Sequence, residues 1–410
     1  MIIRTAIKCS TCDQPHTVRI GMGQEESQTH NFLCRGCDEK IILRMNVDYK
    51  NIATEIVGVE NCEIIDEVVG APIVNLDANF LVPPAERGVD MTFPRLAQMH
   101  KMIEQAEKLG TFVDPTTINP QSINSRPFRR PDFAAEWRLL KKSWSLNRNG
   151  RQKLSQQRVE RASAELYADD PLNDLPDWLW RFSLFLTQPA YEPIFRDVID
   201  AIKPLWSSDL MPAFKEAYEK TMAPQRGAQY FTIMSEFFAN YDEFAQVYFL
   251  VVKGIPLEED FHTTSADFDS VKMFYGNAFE QFADLVEYIA MLNNMLSGRT
   301  YDAFAQLTLA EYRKLDKAGR FSTFALNQPL TNLCREANNQ IRNASHHGGF
   351  SFDERTQIIR YRSGKGGTGP EQQMMYATYL KRCVEITLQI FTLFRIEIII
   401  CNRLRTKYPL

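Results

Sequence analysis

The apolar positions of the chain change period along its length. Up to about residue 80 they alternate with polar ones, as in "HTVRIGM", "KIILRMNVD", "NIATEIVGV" and "APIVNL", which predicts short strands with one buried face. A helical stretch follows over about 92–109. The segment "GTFVDPTTINPQSINSRPFRRPDF", with prolines at 115, 120, 127 and 131, then predicts an extended linker. Beyond it the apolar spacing becomes helical for almost all of the remaining length. In "DFAAEWRLLKKSWSL", Phe133, Trp137, Leu140 and Trp144 make one stripe that must pack on other helices.

From about Asp267 the pattern predicts a helical bundle. Its members are a long helix, "FDSVKMFYGNAFEQFADLVEYIAMLNNML", a second over "LTLAEYRKLDKAGR" and a third over "QPLTNLCREANNQIRNASHH". A hairpin, "FSFDERTQIIRYRSGKGGTG", and a last long helix from Glu371 complete it. In the third helix Leu330, Leu333, Cys334, Ala337, Ile341 and Ala344 form the apolar face, with Arg335, Asn338, Asn339, Arg342 and Ser345 opposite. The expected organisation is mainly α: a β-rich unit over 1–45, a β-rich extension over 46–90, a helix and proline-containing linker over 91–131, a central helical region over 132–262 and a C-terminal bundle over 263–410.

With 410 residues, 44% of them hydrophobic, the chain can bury a large core. The last helix carries a very apolar run, but Arg395 and Glu397 interrupt it, so it reads as a buried helix and no membrane partner is expected. The opening "MIIRTAIKCSTC" lacks the basic and apolar regions of a secretory signal, so export is not expected. Of eight cysteines, four form two CxxC pairs and four (Cys62, Cys334, Cys383, Cys401) are scattered singly, which fits a reducing cytoplasm rather than a disulfide framework.

The CxxC pairs carry chemistry. Cys9 and Cys12 are separated from Cys34 and Cys37 by 21 residues of strand-like sequence. Two intervening residues let a tight turn aim both sulfurs at one ion, and the second pair completes a tetrahedral site. Four thiolates leave no open position, so the expected cofactor is a structural Zn2+; a redox role would need a βαβ context that is absent. Over residues 1 to about 45 the chain resembles a zinc ribbon, a module that binds nucleic acid or protein.

Net charge is −4 overall, but residues 125–162 hold eleven Lys or Arg against three Asp or Glu. Such a local excess is an electrostatic footprint for an anionic partner, and Arg126, Arg129, Arg130, Lys141, Lys142, Arg148, Arg151 and Lys153 are the candidate nucleic-acid contacts. The competing reading is a solvated helix face packed on the acidic remainder. "SGKGGTG" at 363–369 misses the spacing of a nucleotide-binding phosphate loop, and no nucleotide cofactor is evident. His100 and His262 are given no catalytic role.

The end of the third bundle helix, "QIRNASHHGGF", gathers an arginine, an asparagine and two histidines before twin glycines. In an unbroken helix His346 lies about 40° round from Arg342 and His347 about 140°, although Gly348 and Gly349 predict an unwound last turn. Cations in a last turn also suit the helix dipole, so plain capping is a competing account. This stretch resembles the arginine, asparagine, spaced-histidine signature of the HEPN superfamily, with Arg342, Asn343 and His347 in the signature positions and His346 as an extra. The resemblance spans roughly residues 267–405. It implies a helical bundle that cleaves RNA without a metal, acting as a homodimer whose two signatures share a site, in the setting of a toxin or phage-defence effector. It equally allows a non-catalytic RNA-binding or dimerising module. The chemistry is coherent: RNA supplies its own 2′-hydroxyl nucleophile, histidine a proton acceptor or donor near neutrality, and arginine a cation for the phosphorane.

Overall fold

A computed structural model describes residues 1–108, 132–258, 261–346, 349–364 and 368–410. The alternating first segment forms two hairpins. Strands β1 (Ile2–Cys9) and β2 (Pro15–Gly21) pair antiparallel from Ile2↔Gly21 to Lys8↔Pro15. Strands β3 (Ser27–Leu33) and β4 (Lys40–Asp48) pair from Ser27↔Asn46 to Leu33↔Lys40. β5 (Ala53–Glu60) extends the second hairpin, while β6 (Cys62–Ile65) and β7 (Ile73–Asp77) flank the first, giving sheets ordered β6-β1-β2-β7 and β3-β4-β5. Inward residues of both sheets, among them Ile7, Val18, Ile20, Phe32, Ile41, Leu43, Val74 and Leu76, close a small core.

Helix α1 (Pro94–Lys108) follows, and residues 109–131, the expected linker, lie outside the described residues. The helical body opens with α2 (Phe133–Arg148), started by Asp132, whose carboxylate accepts from the Ala135 N–H at 2.7 Å. It continues through α3 (Gln152–Leu166), α4 (Leu175–Thr187), α5 (Glu192–Ile202), α6 (Met211–Ala217), α7 (Ala223–Ala239) and α8 (Tyr241–Val252). Trp137 stacks on Phe238 at 5.1 Å and Trp144 on Phe394 at 5.8 Å, so the predicted stripe is core.

The predicted long helix from Phe268 is three pieces: α9 (Phe268–Val271), α10 (Phe274–Leu285) and α11 (Glu287–Leu296). Side chains take carbonyls at the breaks. Tyr379 donates to Val271 O and Lys272 O at 2.9 Å and Ser345 to Lys272 O at 2.7 Å, while Arg226 donates to Leu285 O at 2.9 Å. After α12 (Leu309–Lys314), the predicted third helix is likewise split into α13 (Gln328–Leu333) and α14 (Asn339–His346). Between them the Tyr275 hydroxyl donates to Glu336 O at 2.6 Å and accepts from Asn338 N–H at 2.9 Å, and the Asn338 side chain receives the N–H groups of Gln340 and Ile341. Ser345, expected on the polar face, is buried by its bond to Lys272.

The predicted hairpin is a three-stranded sheet, β8 (Ser351–Asp353), β9 (Ile358–Arg362) and β10 (Glu371–Met375), ordered β10-β9-β8. Residues 371–375, expected in the last helix, pair with β9 instead, and α15 runs over Tyr376–Leu404. It is buried along most of its length and packs against α4, α8 and α10. Its two interrupting charges are internal: Arg395 pairs with Glu192 at 2.9 Å and lies over Phe195, while Glu397 receives Arg226, Tyr218 and Tyr230. No described helix is long and apolar enough to cross a membrane.

One buried cluster takes in Leu81 and runs on from Phe133 to Cys401, continuous across the expected border at 262 and 263. That border is itself a buried clasp. The Thr264 hydroxyl donates to Asp77 O at 2.7 Å, Ser265 Oγ accepts from Asn31 N–H at 3.0 Å, Gln246 accepts from Thr264 N–H at 2.8 Å and Gln357 accepts from Thr263 N–H at 2.9 Å. Each partner comes from a different element, so these bonds satisfy the backbone where the β-rich module meets the helical body.

Candidate functional site

The two CxxC turns are built alike. In the first, Cys9 N–H donates to Gln14 O at 3.0 Å and Asp13 N–H to Cys9 O at 3.0 Å; in the second, Cys34 N–H donates to Glu39 O and Asp38 N–H to Cys34 O, both at 2.9 Å. Asp13 and Asp38 both take φ 59°, a left-handed conformation that Asp adopts more readily than most residues. The sulfurs of Cys9, Cys12, Cys34 and Cys37 lie within 4.8 Å of one another. Two of the separations, Cys9 to Cys37 at 3.8 Å and Cys12 to Cys34 at 3.6 Å, match the edge of a tetrahedron with metal–sulfur bonds of about 2.3 Å. The donor set therefore fits one metal ion and is compatible with structural zinc. Burial pushes the Cys9 thiol up, but backbone N–H groups of Cys12 and Thr11 and the neighbouring Cys34 and Cys12 thiols bring it to about 7, while Cys34, raised chiefly by burial, and Cys37, at about 12, lie above the ordinary thiol range. His16 and His30 are both buried; His16 accepts from Arg35 N–H at 3.2 Å, and burial lowers His30 to about 4. Neither joins the cluster.

At the other end of the chain, α14 packs along α10. Arg342 and His346, one turn apart on α14, meet Glu280 and Gly276, one turn apart on α10. The Arg342 guanidinium pairs with Glu280 and donates to Asn343 Oδ1 at 2.8 Å, with about a quarter of its side chain exposed. The His346 ring lies so close over Gly276 that a Cβ there would meet its Cδ2 at 2.1 Å, and its Nε2 is buried without a hydrogen-bond partner. Burial holds the Glu236 carboxyl above its usual range, opposed by a hydrogen bond from Asn277 at 2.7 Å and by attraction to His346. Lys317 lies 3.7 Å from Glu280 and 2.5 Å from Asp284, and Arg320 also pairs with Asp284. The seam thus aligns cations and carboxylates along one side of α10. His347 lies outside the described residues.

Of the candidate nucleic-acid contacts, Arg126, Arg129 and Arg130 also lie outside the described residues. Lys142, Arg148, Arg151 and Lys153 are exposed on the α2–α3 helical hairpin, with Lys141 partly so, and none of the five forms an ion pair among the described residues. Arg148 and Lys141 both lie over Phe231, at 4.6 and 5.9 Å from its ring centre. Among the described residues these five thus lie on a solvated helix face without acidic partners.

Sequence reasoning missed Gly276, Glu280 and Glu236. A usable signal existed in "FYGNAFEQF", where a glycine inside an apolar helix marks close approach by another element. Comparison of the chain with protein-family models, with curated proteins and with solved structures finds no match.

Proposed function

We propose that the protein is an endoribonuclease of the HEPN kind whose reacting groups sit at the tip of α14, with its four cysteines holding a structural Zn2+. The observation that carries the reading is the shared seam: a guanidinium and an imidazole one helical turn apart, both seated against α10 at Glu280 and Gly276. In this reaction the RNA 2′-hydroxyl attacks the adjacent phosphorus and the 5′-oxygen leaves, giving a 2′,3′-cyclic phosphate and a 5′-hydroxyl. One histidine, His346 or His347, takes the 2′-hydroxyl proton, and a second imidazole, from the neighbouring position or from a second copy across a twofold axis, returns a proton to the leaving oxygen. Arg342 stabilises the charge that gathers on the phosphorane, exchanging its contact with Glu280 for the phosphate, while Asn343 orients the guanidinium. The exposed basic side chains of the α2–α3 hairpin supply the surface along which the RNA backbone lies.

A second reading rests on one observation: Glu280 and Asn343 already occupy the Arg342 guanidinium, as they would in a module that binds RNA without cutting it. One experiment separates the two. The metal-loaded chain is incubated with single-stranded RNA in buffer without added divalent cations, and the products are analysed for cyclic phosphate ends. Cleavage that falls about 10²-fold or more in Arg342→Ala and in at least one of His346→Ala and His347→Ala supports the nuclease. RNA binding with no cleavage by the wild type supports the second reading. Cleavage unaffected by all three substitutions removes the site from consideration.

A further inference from the structure

Where the β-rich module meets the helical body there is a cleft of about 540 Å³, walled by the second cysteine turn, the loop at 84–87, the 262–266 clasp and the turn between β8 and β9. The volume lies in the range that encloses a ligand of nucleotide size. Three guanidinium groups face it, from Arg35, Arg87 and Arg355. Arg87 is partly buried, and the one described bond of its side chain is a donation to Thr264 O at 3.4 Å, while its backbone pairs with Pro84 O and Asn75 N–H. Arg35, an exposed side chain, lies beside it: its guanidinium rests over Gly88, where a Cβ would meet Nη2 at 2.5 Å. None of the three arginines forms an ion pair among the described residues. The three are only partly compensated: Glu354 is shared with Lys40 at 3.7 Å, Asp38 is exposed on the cysteine turn, and four thiolates around a Zn2+ would add a net charge of −2 beside Arg35. Burial, and then the neighbouring Arg35, both hold Arg87 below its ordinary range.

Two like charges brought together, one of them partly buried, raise the free energy of the empty cleft. A ligand carrying two or more negative charges relieves that cost and gains charge-assisted hydrogen bonds. We propose that this cleft binds the phosphate group of a small phosphorylated molecule of nucleotide size, with Arg35 and Arg87 clamping the anion and Arg355 closing over it. The four walls come from separate chain segments and bound a half-open cleft of limited volume, which suits a free small molecule better than a continuous RNA strand. The assignment stands apart from the glycine-flanked "SGKGGTG" segment and does not rest on RNA cleavage. It does depend on the metal cluster, because the turn that carries Arg35 is the one between Cys34 and Cys37.

Calorimetric titration of the metal-loaded full chain with ATP, pyrophosphate and adenosine tests the proposal. ATP and pyrophosphate are expected to bind and adenosine is not. Arg35→Gln, an exposed substitution that leaves the fold intact, is expected to weaken ATP binding about tenfold or more through loss of a charge-assisted contact. Arg87→Met supplies a second readout with the opposite sign: its melting temperature without ligand is expected to equal or exceed that of the wild type, while the rise produced by ATP disappears. Failure of both phosphate probes to bind, an Arg35→Gln variant with wild-type affinity, or an Arg87→Met variant that melts well below the wild type overturns the proposal. So does an Arg35-dependent complex with a single-stranded RNA lacking terminal phosphates that neither ATP nor pyrophosphate displaces.

Discussion

The β-rich module of residues 2–77 closes on a dozen buried apolar side chains, two of which are cysteines of the metal cluster, whereas the helical body beyond residue 132 buries a continuous aromatic core from Phe133 to Cys401. A unit of the first size rarely stands on hydrophobic burial alone and needs a cross-link, which a metal ion held by the four cysteines would supply by tying the two hairpins that share this small core. The helical body needs none. It can even accommodate Arg226 with Glu397 and Arg395 with Glu192 in its interior, where Tyr218 and Tyr230 hydroxyls donate to Glu397 and the Thr187 hydroxyl accepts from Arg395. The two regions should therefore fail separately, and by different agents.

Metal removal is the largest test of that difference. Binding of zinc to four-ligand modules is worth about 10–16 kcal/mol near neutral pH, more than the module's own core provides. Stripping the metal with a strong chelator, or making Cys34→Ser, is expected to release amide-exchange protection across β1 to β4 while the helical circular dichroism signal and protection in α15 persist. Retention of protection in β1 to β4 would show that the module folds on its core, and joint melting would show that the 262–266 clasp makes one cooperative unit.

The opposite lesion lies in the helical body. Glu397 accepts from Arg226, Tyr218 and Tyr230, so Glu397→Ala leaves a buried guanidinium without its counter-charge and should cost about 3–5 kcal/mol by denaturant unfolding. The metal content of the module should not change.

Both regions also hold a buried carboxyl that titrates late, and this gives a smaller, paired test. Glu25 of the module rises from 4.5 to about 7, chiefly through burial and against hydrogen bonds that include one from Asn79, with Asp132 adding to the rise. Glu243 of α8 also rises to about 7 through burial, against bonds from Tyr376 and Asp267 N–H, with Asp267 raising and Lys40 lowering it. In each case the folded state keeps a proton that the unfolded state has already lost, so stability falls as pH climbs from about 4.5 to about 7 and then levels off. The loss is at most about 3 kcal/mol per group. Glu25→Gln is expected to flatten the pH dependence of the module's exchange, and Glu243→Gln that of the body. Unchanged pH profiles in both variants would mean that these carboxyls are not the titrating groups.

The same contrast decides how much could be read from residues alone. The cysteine spacing made the four-cysteine cluster legible because its members come as local pairs, and each turn is determined by neighbours in sequence. Apolar periodicity located the Trp137 and Trp144 stripe for a similar reason. The breaks in the helical body were not legible, because they depend on distant hydroxyls: Tyr379 and Ser345 at Lys272, and Tyr275 between α13 and α14, take hydrogen bonds that local periodicity assigns to a continuous helix. Strand β10 was hidden likewise, since Glu371–Met375 becomes a strand only by pairing with Ile358–Arg362. At the α14 tip, Arg342 and Asn343 could be named from the sequence, but Glu280, which holds the guanidinium, lies 62 residues away and could not. The Arg35 and Arg87 cleft was invisible for the same reason, its walls being assembled from four separate segments.

The smallest expected difference compares two glycines doing the same steric job in the two regions. Gly276 admits the His346 ring and Gly88 admits the Arg35 guanidinium, each at a distance no Cβ tolerates. The consequences of adding a methyl should nevertheless differ. His346 is fixed to α14, whose Ser345 is anchored to Lys272, and Ser345 Oγ would itself lie 2.9 Å from the new Cβ, so Gly276→Ala must push one helix off another. Such overpacking costs about 1–3 kcal/mol, from which alanine's helix preference returns only about 1. At Gly88 the obstructing atoms are the far end of a flexible, exposed side chain, which swings into water, so Gly88→Ala should change stability by less than about 0.5 kcal/mol. Thermal unfolding of the two variants measured side by side separates a packed seam from an open cleft. If both lose stability equally, Arg35 is as firmly held as His346, and the module's surface is more rigid than its small core implies.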